Sequence, residues 1–242
     1  MPLARETRDI DLATSESDFE TALGELQNAV QDDVGDHLGI VAKFDRPLVM
    51  PTASQGTTGG RLIVTVSAMG KAVARFGVDM VVSEPPVGEI ETITPRTRLH
   101  LPRPVFTADY RLYPLPDQIA DKIYATVAPR KNSPVLFSTR VKDLVDLAIY
   151  ARTQTVYMRP LRRALKQRLA TLQTPPTRFS IPEDWRRRFG SRKLHTPLVD
   201  PSDYDGAVRD ATELSAAVFD ESVSDDAVWT PERRWTLSPR GS

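Results

Sequence analysis

Two aspartates near the amino terminus, Asp9 and Asp11, have the residue type and spacing that suit a divalent metal ion. The surrounding residues predict a short strand, so both carboxylates are expected on one face, with Ile10 and Leu12 on the other, toward a core. Neighbouring carboxylates repel each other unless water or a cation lies between them. Mg²⁺ prefers this arrangement, because it binds one or two carboxylates and fills its remaining positions with water and substrate phosphates. A solvated strand edge is the alternative interpretation of this pair.

A third acid, Asp79, lies within the apolar run 76–82. A carboxylate that is buried without a partner costs several kcal/mol, so Asp79 is expected at an exposed strand position or beside a cation or metal ion. We therefore include Asp79 as a candidate third metal ligand, with a solvent-facing strand position as the alternative.

Further candidates lie on two helices predicted in the second half of the chain. Lys122 lies beside the apolar stripe of a helix that begins near Asp117, and Asp143 lies in the first turns of a helix predicted at 139–152. Asp143 and Asp146 are three residues apart and share a helix face. Such a pair is usually a solvated flank. If the two consecutive helices pack side by side, however, Lys122 and Asp143 are expected to face one cleft.

The elements that must position these residues indicate an α/β (α+β) fold. A strand, an amphipathic helix and further strands predict a core with a mixed β-sheet over residues 1–114. Helical periodicity predominates from residue 115 to residue 220, which we interpret as a helical domain that completes the active site. The remaining residues, 221–242, are expected to be a disordered tail.

The chain of 242 residues carries 32 Lys and Arg against 32 Asp and Glu, but these charges are unevenly distributed. Residues 140–193 contain 14 basic and 4 acidic side chains, whereas residues 200–226 contain 9 acids and a single Arg. The basic helix at 159–168 and the aromatic and cationic run 185–189 favour an RNA partner. The alternative is that the acidic segment folds back and neutralises the basic face.

The composition excludes several other classes of protein. There is no cysteine, which rules out disulfides and thiolate chemistry, and the three histidines lack metal-ligand spacing. No apolar run is long enough to cross a bilayer, so we expect a cytoplasmic protein without a membrane partner.

The order of these elements is similar to the nucleotidyltransferase fold, and three local blocks make the resemblance closer. The segment Thr7-Arg8-Asp9-Ile10-Asp11-Leu12 resembles the T-x-D-x-D-L motif of the AbiEii-type nucleotidyltransferase toxins, which include the MenT group. Residues 115–125 resemble that family's helix with its lysine, here Lys122. The run Arg140-Val141-Lys142-Asp143-Leu144-Val145-Asp146-Leu147 resembles its R-x-K/R-D-x-x-D-L motif. The likeness covers about residues 5–150.

The resemblance implies a toxin that transfers NMP from an NTP to RNA, with tRNA as the expected acceptor and a separately encoded antitoxin as its partner. It implies that Asp9 and Asp11 hold Mg²⁺, that Lys122 neutralises phosphate charge, and that Asp143 is the helical catalytic acid. Lys122 and Arg140 are the candidates for binding the nucleotide.

One departure from the family pattern leaves other functions open. The family has a Gly-Ser or Gly-Gly motif upstream of Asp-x-Asp, and the eight residues before Asp9 contain no such motif. Either the true start lies upstream, or the protein lacks half of its triphosphate site. The alternatives are a catalytically impaired binding protein of the same fold, or an enzyme that nucleotidylates a protein or a small molecule.

Overall fold

The computed structural model describes residues 9–15, 18–31, 40–44, 48–51, 58–94, 108–128, 140–190, 196–232 and 234–237. These residues pack into two units. The sheet unit falls within Glu6–Pro85 and Ile90–Leu112, and the helical unit falls within Pro86–Glu89 and Tyr113–Ser242. Pro86–Glu89 was expected in the first domain but packs in the helical unit. There Asp117 accepts hydrogen bonds from the backbone N–H groups of Val87, at 2.9 Å, and Gly88, at 2.8 Å.

The sheet unit contains seven described strands and one described helix. They are β1 (Asp9–Thr14), α1 (Phe19–Gln31), β2 (Ile40–Phe44), β3 (Leu48–Pro51), β4 (Thr58–Ala68), β5 (Lys71–Val82), β6 (Glu91–Ile93) and β7 (Tyr110–Leu112). The main sheet has the order β1-β5-β4-β2, and β3 also pairs with β4. Strand β1 runs parallel to β5, whereas the other pairs are antiparallel, so the sheet is mixed as predicted. Strands β6 and β7 form a separate antiparallel ribbon.

Alternating side chains give the main sheet one apolar face, which α1 covers. Phe19, Ala22 and Leu23 of the helix are buried in one cluster with the alternate residues of β4 and β5, namely Leu62, Val64, Val78 and Met80. The side chain of Asp18 caps the helix by accepting from the N–H of Thr21 at 2.8 Å. Residues of opposite parity, including Arg61 and Asp79, therefore lie on the other face, which we call the open face.

Strand β1 lies at the edge of the main sheet, so its side chains are less buried than those of the central strands. Leu12 packs against the apolar cluster, but Ile10, which was expected to face a core, is about half exposed. Among the described strands, β5 alone neighbours β1, so described cover for its apolar face comes from one side.

The helical unit contains five described α-helices and three short strands. They are α2 (Leu115–Val127), α3 (Val141–Thr153), β8 (Val156–Tyr157), α4 (Met158–Leu169), α5 (Trp185–Phe189), α6 (Tyr204–Ala216), β9 (Ala227–Thr230) and β10 (Arg234–Leu237). Helix α3 packs against α2 and α6, and α2 also packs against α4. Leu144, Leu147 and Ala148 of α3 are fully buried in the shared core. No helix among the described residues has the length and hydropathy needed to span a membrane.

The expectation of a disordered tail after residue 220 is wrong for the described part of that segment. Strand β9 pairs with β8 on one side and with β10 on the other, in a three-stranded antiparallel sheet. Trp229 is fully buried, and its indole N–H donates to the carbonyl of Ala151 at 3.0 Å. Trp235 donates likewise to the carbonyl of Leu214, at 3.1 Å. Strands of four residues are too short to give a clear periodic signal, and β8, the second partner of β9, lies far away in the sequence.

Candidate active site

The acids of the sheet unit occupy neighbouring strand positions. In the parallel pair of β1 and β5, Asp11 lies opposite Asp79 and Asp9 lies opposite Gly77. Register partners in adjacent strands present their side chains on the same face. The side chain of Asp11 is exposed, and that of Asp79 is 36% exposed. The structure therefore brings the carboxylates of Asp11 and Asp79 to one row of the open face, whereas for Asp9 it describes only the backbone.

Arg61 extends this row on the far side of Asp79. It lies opposite Asp79 in the antiparallel pair of β4 and β5, and its Nη1 is 3.4 Å from Oδ2 of Asp79. Asp79 thus meets the condition that the sequence imposed on it, since it is partly exposed and lies beside a cation. The sequence alone did not identify Arg61 as a candidate, because its contact with Asp79 depends on the register of the β4–β5 hairpin.

We call the row that contains Asp11 and Asp79 the acidic row, and the oxygen ligands that it offers fit Mg²⁺. Two partly solvated carboxylates in adjacent positions offer the hard oxygen ligands that this ion prefers, and leave room for water and phosphate oxygens. Among the side chains that the structure describes, no group of three or more His, Cys, Asp or Glu residues is arranged to hold a metal ion. The structure does not describe the side chain of Asp9, so the described donors are Asp11 and Asp79.

In the helical unit, Lys122 of α2 lies between two carboxylates of α3. Its Nζ is 3.2 Å from Oδ1 of Asp143 and 2.9 Å from Oδ2 of Asp146. Nε of Arg140 is 3.1 Å from the other oxygen of Asp143. The structure therefore brings Lys122, Arg140 and Asp143 together, as side-by-side packing of the two helices predicts.

Asp146 is a member of this cluster that was not among the site residues predicted from the sequence. The i, i+3 spacing of Asp143 and Asp146 suggested a solvated flank, but the side chain of Asp143 is 0% exposed and that of Asp146 is 15% exposed. The pair is buried because its face of α3 packs against α2, where Lys122 balances the charge. The motif R-x-K/R-D-x-x-D-L already contained the second aspartate, which was the available signal.

Burial and charge act in opposite directions on the cluster. Burial raises the pKa of Asp143 above its ordinary value, although Arg140 and Lys122 oppose this shift. Burial also lowers the pKa of Lys122, but attraction to Asp146 and Asp143 outweighs it, and the lysine pKa lies above its ordinary value. Lys122 is therefore a cation at neutral pH. Its side chain is 23% exposed, so the lysine is partly accessible to solvent.

Tyr150 and Gln118 support the packing of α3 against α2 near this cluster. The hydroxyl of Tyr150 donates to Oε1 of Gln118 at 2.9 Å, and Nε2 of Gln118 donates to the carbonyl of Tyr113 at 2.6 Å. Burial, reinforced by the nearby charge of Asp146, raises the pKa of Tyr150 to about 12. The bond between Tyr150 and Gln118 joins α3 to α2 and so helps to fix Lys122 relative to Asp143.

Two cations of the basic helix α4 are neutralised within the helical unit. Arg159 and Arg162 of α4 lie 2.6 Å from Asp226 and Asp225, respectively. Arg162 also donates to the backbone carbonyls of Ala217, Val218 and Asp220. This finding favours the alternative in which the acidic segment folds back onto the basic face.

The aromatic residues of the run 185–189 do not form a base-stacking surface. Trp185 and Phe189 of α5 are buried in the core of the helical unit. The cations between them are exposed, and Arg186 pairs with Asp205. The interleaved pattern of aromatic and basic residues therefore reflects a short amphipathic helix.

The carboxylates paired on the mixed sheet, and separately the lysine–aspartate cluster of the helical unit, are each of a kind that suits the handling of metal ions or phosphate groups. The family model of the "Nucleotidyl transferase AbiEii toxin, Type IV TA system" matches residues 1–226. The chain belongs to this family. Membership of a toxin–antitoxin family implies a separate antitoxin partner.

A solved structure has the same fold. MenT4, a nucleotidyltransferase toxin from Mycobacterium tuberculosis H37Rv, superposes with a TM-score of 0.50 at 16% sequence identity, covering 90% of this chain and 74% of MenT4. No curated protein sequence is a significant match.

Proposed function

We propose that this protein is a toxin that transfers NMP from an NTP to an RNA acceptor with the help of Mg²⁺, and that the acceptor is tRNA. The observation that carries the proposal is the register that places Asp11 directly beside Asp79 on the open face. Membership of the family supports the reaction class. The resemblance of this chain to family members that modify tRNA supports tRNA as the acceptor. The reaction is expected in the cytoplasm, where both substrates occur.

Each unit contributes residues with a distinct role. Asp9, Asp11 and Asp79 would hold the metal, which when bound lowers the pKa of the attacking hydroxyl and neutralises charge on the leaving pyrophosphate. Lys122, protonated and partly exposed, would bind a phosphate oxygen as a point charge. Asp143 and Asp146 orient its Nζ, and Arg140 offers a second cation for the nucleotide.

A second candidate is nucleotidylation of an acceptor other than RNA. The observation that favours it is the pairing of Arg159 and Arg162 with Asp226 and Asp225, which removes much of the basic surface that argued for RNA. A protein or small-molecule acceptor would require no such surface.

The test is to incubate the protein with each of the four α-³²P-labelled NTPs and a cell extract, with Mg²⁺ or with EDTA. We expect Mg²⁺-dependent label in the tRNA fraction, lost in Asp11→Asn and in Lys122→Gln. Glu91→Gln, which removes an exposed carboxylate from β6, is the matched control and should retain activity. Label in the protein or small-molecule fraction would support the second candidate. No label in any fraction from folded protein would contradict both.

A further inference from the structure

The side chain of Arg61 lies across β5 on top of Gly77. A Cβ atom added to Gly77 would be 2.7 Å from Nη2, 3.1 Å from Nε and 3.2 Å from Cζ of Arg61. A distance of 2.7 Å is shorter than any ordinary contact of a carbon atom, so every other residue at this position would push the guanidinium away. The glycine therefore leaves the space in which the guanidinium lies.

This position is next to the strand positions of all three candidate metal-binding acids. Gly77 is the register partner of Asp9, and Asp79, two residues later in β5, is the register partner of Asp11. The guanidinium of Arg61 contacts Asp79, and the side chain of Arg61 is 39% exposed. A cation is thus held within the acidic row, where a substrate can reach it.

The ion pair with Asp79 is a weak and partly solvated contact of Arg61. At 3.4 Å and with both side chains more than a third exposed, the ion pair is long and solvated, and such pairs contribute little to folding. A guanidinium, however, carries five N–H donors in a planar fork that matches the oxygens of a phosphate. Next to carboxylates that suit Mg²⁺, this is the geometry of a phosphate-binding group.

We propose that Arg61 binds a phosphate group of the substrate at the acidic row, and that Gly77 is required to seat it there. The phosphate belongs either to the triphosphate of the NTP or to the backbone of the acceptor. The proposal rests on the nucleotidyltransferase function proposed above, and it assigns a role to two residues of the sheet unit that no motif marked.

Three variants separate the charge of Arg61 from its position. Arg61→Gln removes the charge, Arg61→Lys keeps a charge without the fork, and Gly77→Ala keeps the arginine but displaces its guanidinium. Arg75→Gln is the matched charge control, because Arg75 is an exposed residue of β5 on the same face as Gly77. Gly24→Ala is the matched glycine control, since a Cβ atom there meets nothing within 4 Å.

The readouts are the Kd for NTP, measured by calorimetry in Mg²⁺ and in EDTA, the KM for acceptor, and the melting temperature. We expect Arg61→Gln and Gly77→Ala to raise the Kd for NTP, or the KM for acceptor, by about ten- to hundred-fold, and the Arg61→Lys variant to fall between them and the wild type. A change in Kd that persists in EDTA identifies the triphosphate. A change confined to the KM for acceptor identifies the acceptor backbone. Both controls should behave as the wild type, and the melting temperature should change little.

An active wild type with unchanged Kd and KM in both Arg61→Gln and Gly77→Ala would overturn the role of Arg61 alone. An equal effect of Arg75→Gln would also overturn it, since general electrostatics would then suffice. A wild type that neither binds NTP nor labels an acceptor would overturn the proposed function as well.

Discussion

Asp11 and Asp79 are direct register partners in the parallel pair of β1 and β5, although α1 and three strands lie between them in the sequence. Like charges in opposed positions of neighbouring strands repel each other by about 0.2–1 kcal/mol. The acidic row therefore costs stability to the extent that solvent and Arg61 do not offset the repulsion, and a bound metal ion would remove that cost.

The first prediction concerns this repulsion. In EDTA, Asp11→Asn should leave the free energy of unfolding unchanged or raise it by roughly 0.5 kcal/mol. Addition of Mg²⁺ should then stabilise the wild type but not the variant, because only the wild type keeps both carboxylates. Urea unfolding with and without Mg²⁺ measures both effects. Equal stabilisation of the two proteins by Mg²⁺ would contradict the metal site at this row.

The second prediction separates the structural and catalytic roles of Lys122. Lys122→Gln leaves the fully buried Asp143 with Arg140 as its described ionic partner, so we expect a loss of about 1–3 kcal/mol in stability as well as loss of transfer. The double variant Lys122→Gln with Asp143→Asn removes the buried charge and should regain most of the stability but none of the activity. Lys142→Gln, at an exposed position of α3, is the control. Recovery of activity in the double variant would make Lys122 purely structural.

The third prediction follows from the raised pKa of Tyr150, which is about 12 in the folded protein against an ordinary value of 10.0. Between these two values the unfolded chain releases the phenolic proton while the folded chain retains it, so stability must fall as pH rises. We expect the wild type to lose up to about 3 kcal/mol more than Tyr150→Phe over this window. Urea unfolding at about pH 9 and about pH 11.5 measures the difference. Parallel losses in both proteins would show that Tyr150 does not keep its proton.

The fourth prediction concerns RNA and the two pairs of cations on α4. Arg159 and Arg162 contact the acidic segment, so their joint reversal to Glu should lower stability by about 1–2 kcal/mol through repulsion from Asp226 and Asp225. Arg163 and Lys166 are exposed, so their reversal should leave folding intact. If RNA binds this helix, the second variant should flatten the salt dependence of RNA binding by about 0.7 in logarithmic slope for each lost contact. An unchanged slope would favour an acceptor other than RNA.

Local sequence signals predicted much of this architecture. Helices α1, α2, α3 and α6 and the long strands β4 and β5 follow apolar periodicity, because each has one face that must be buried. The cluster of Lys122 and Asp143 was foreseen from two short motifs and the packing of consecutive helices. Each of these inferences depends on neighbours within a few turns or on adjacent elements.

The features that the sequence did not reveal depend on register between distant segments. Arg61 reaches Asp79 only through the pairing of β4 with β5, and nothing about Gly77 in isolation indicates that a guanidinium covers it. The burial of Asp146 depends on the face of α3 that α2 covers. Strand β9 gains its structure from β8 and from the hydrogen bond of Trp229 to Ala151, both far from it along the chain.

The position of β9 and β10 has a consequence for the synthesis of the protein. Trp229 and Trp235 bond to carbonyls at the end of α3 and within α6, so these helices lack their last packing partners until residue 237 has left the ribosome. The Lys122 cluster, which depends on α3, is therefore expected to mature only after β9 and β10 have been translated. A nascent toxin would remain inactive while it is being made, and a partner protein would have that interval in which to capture it.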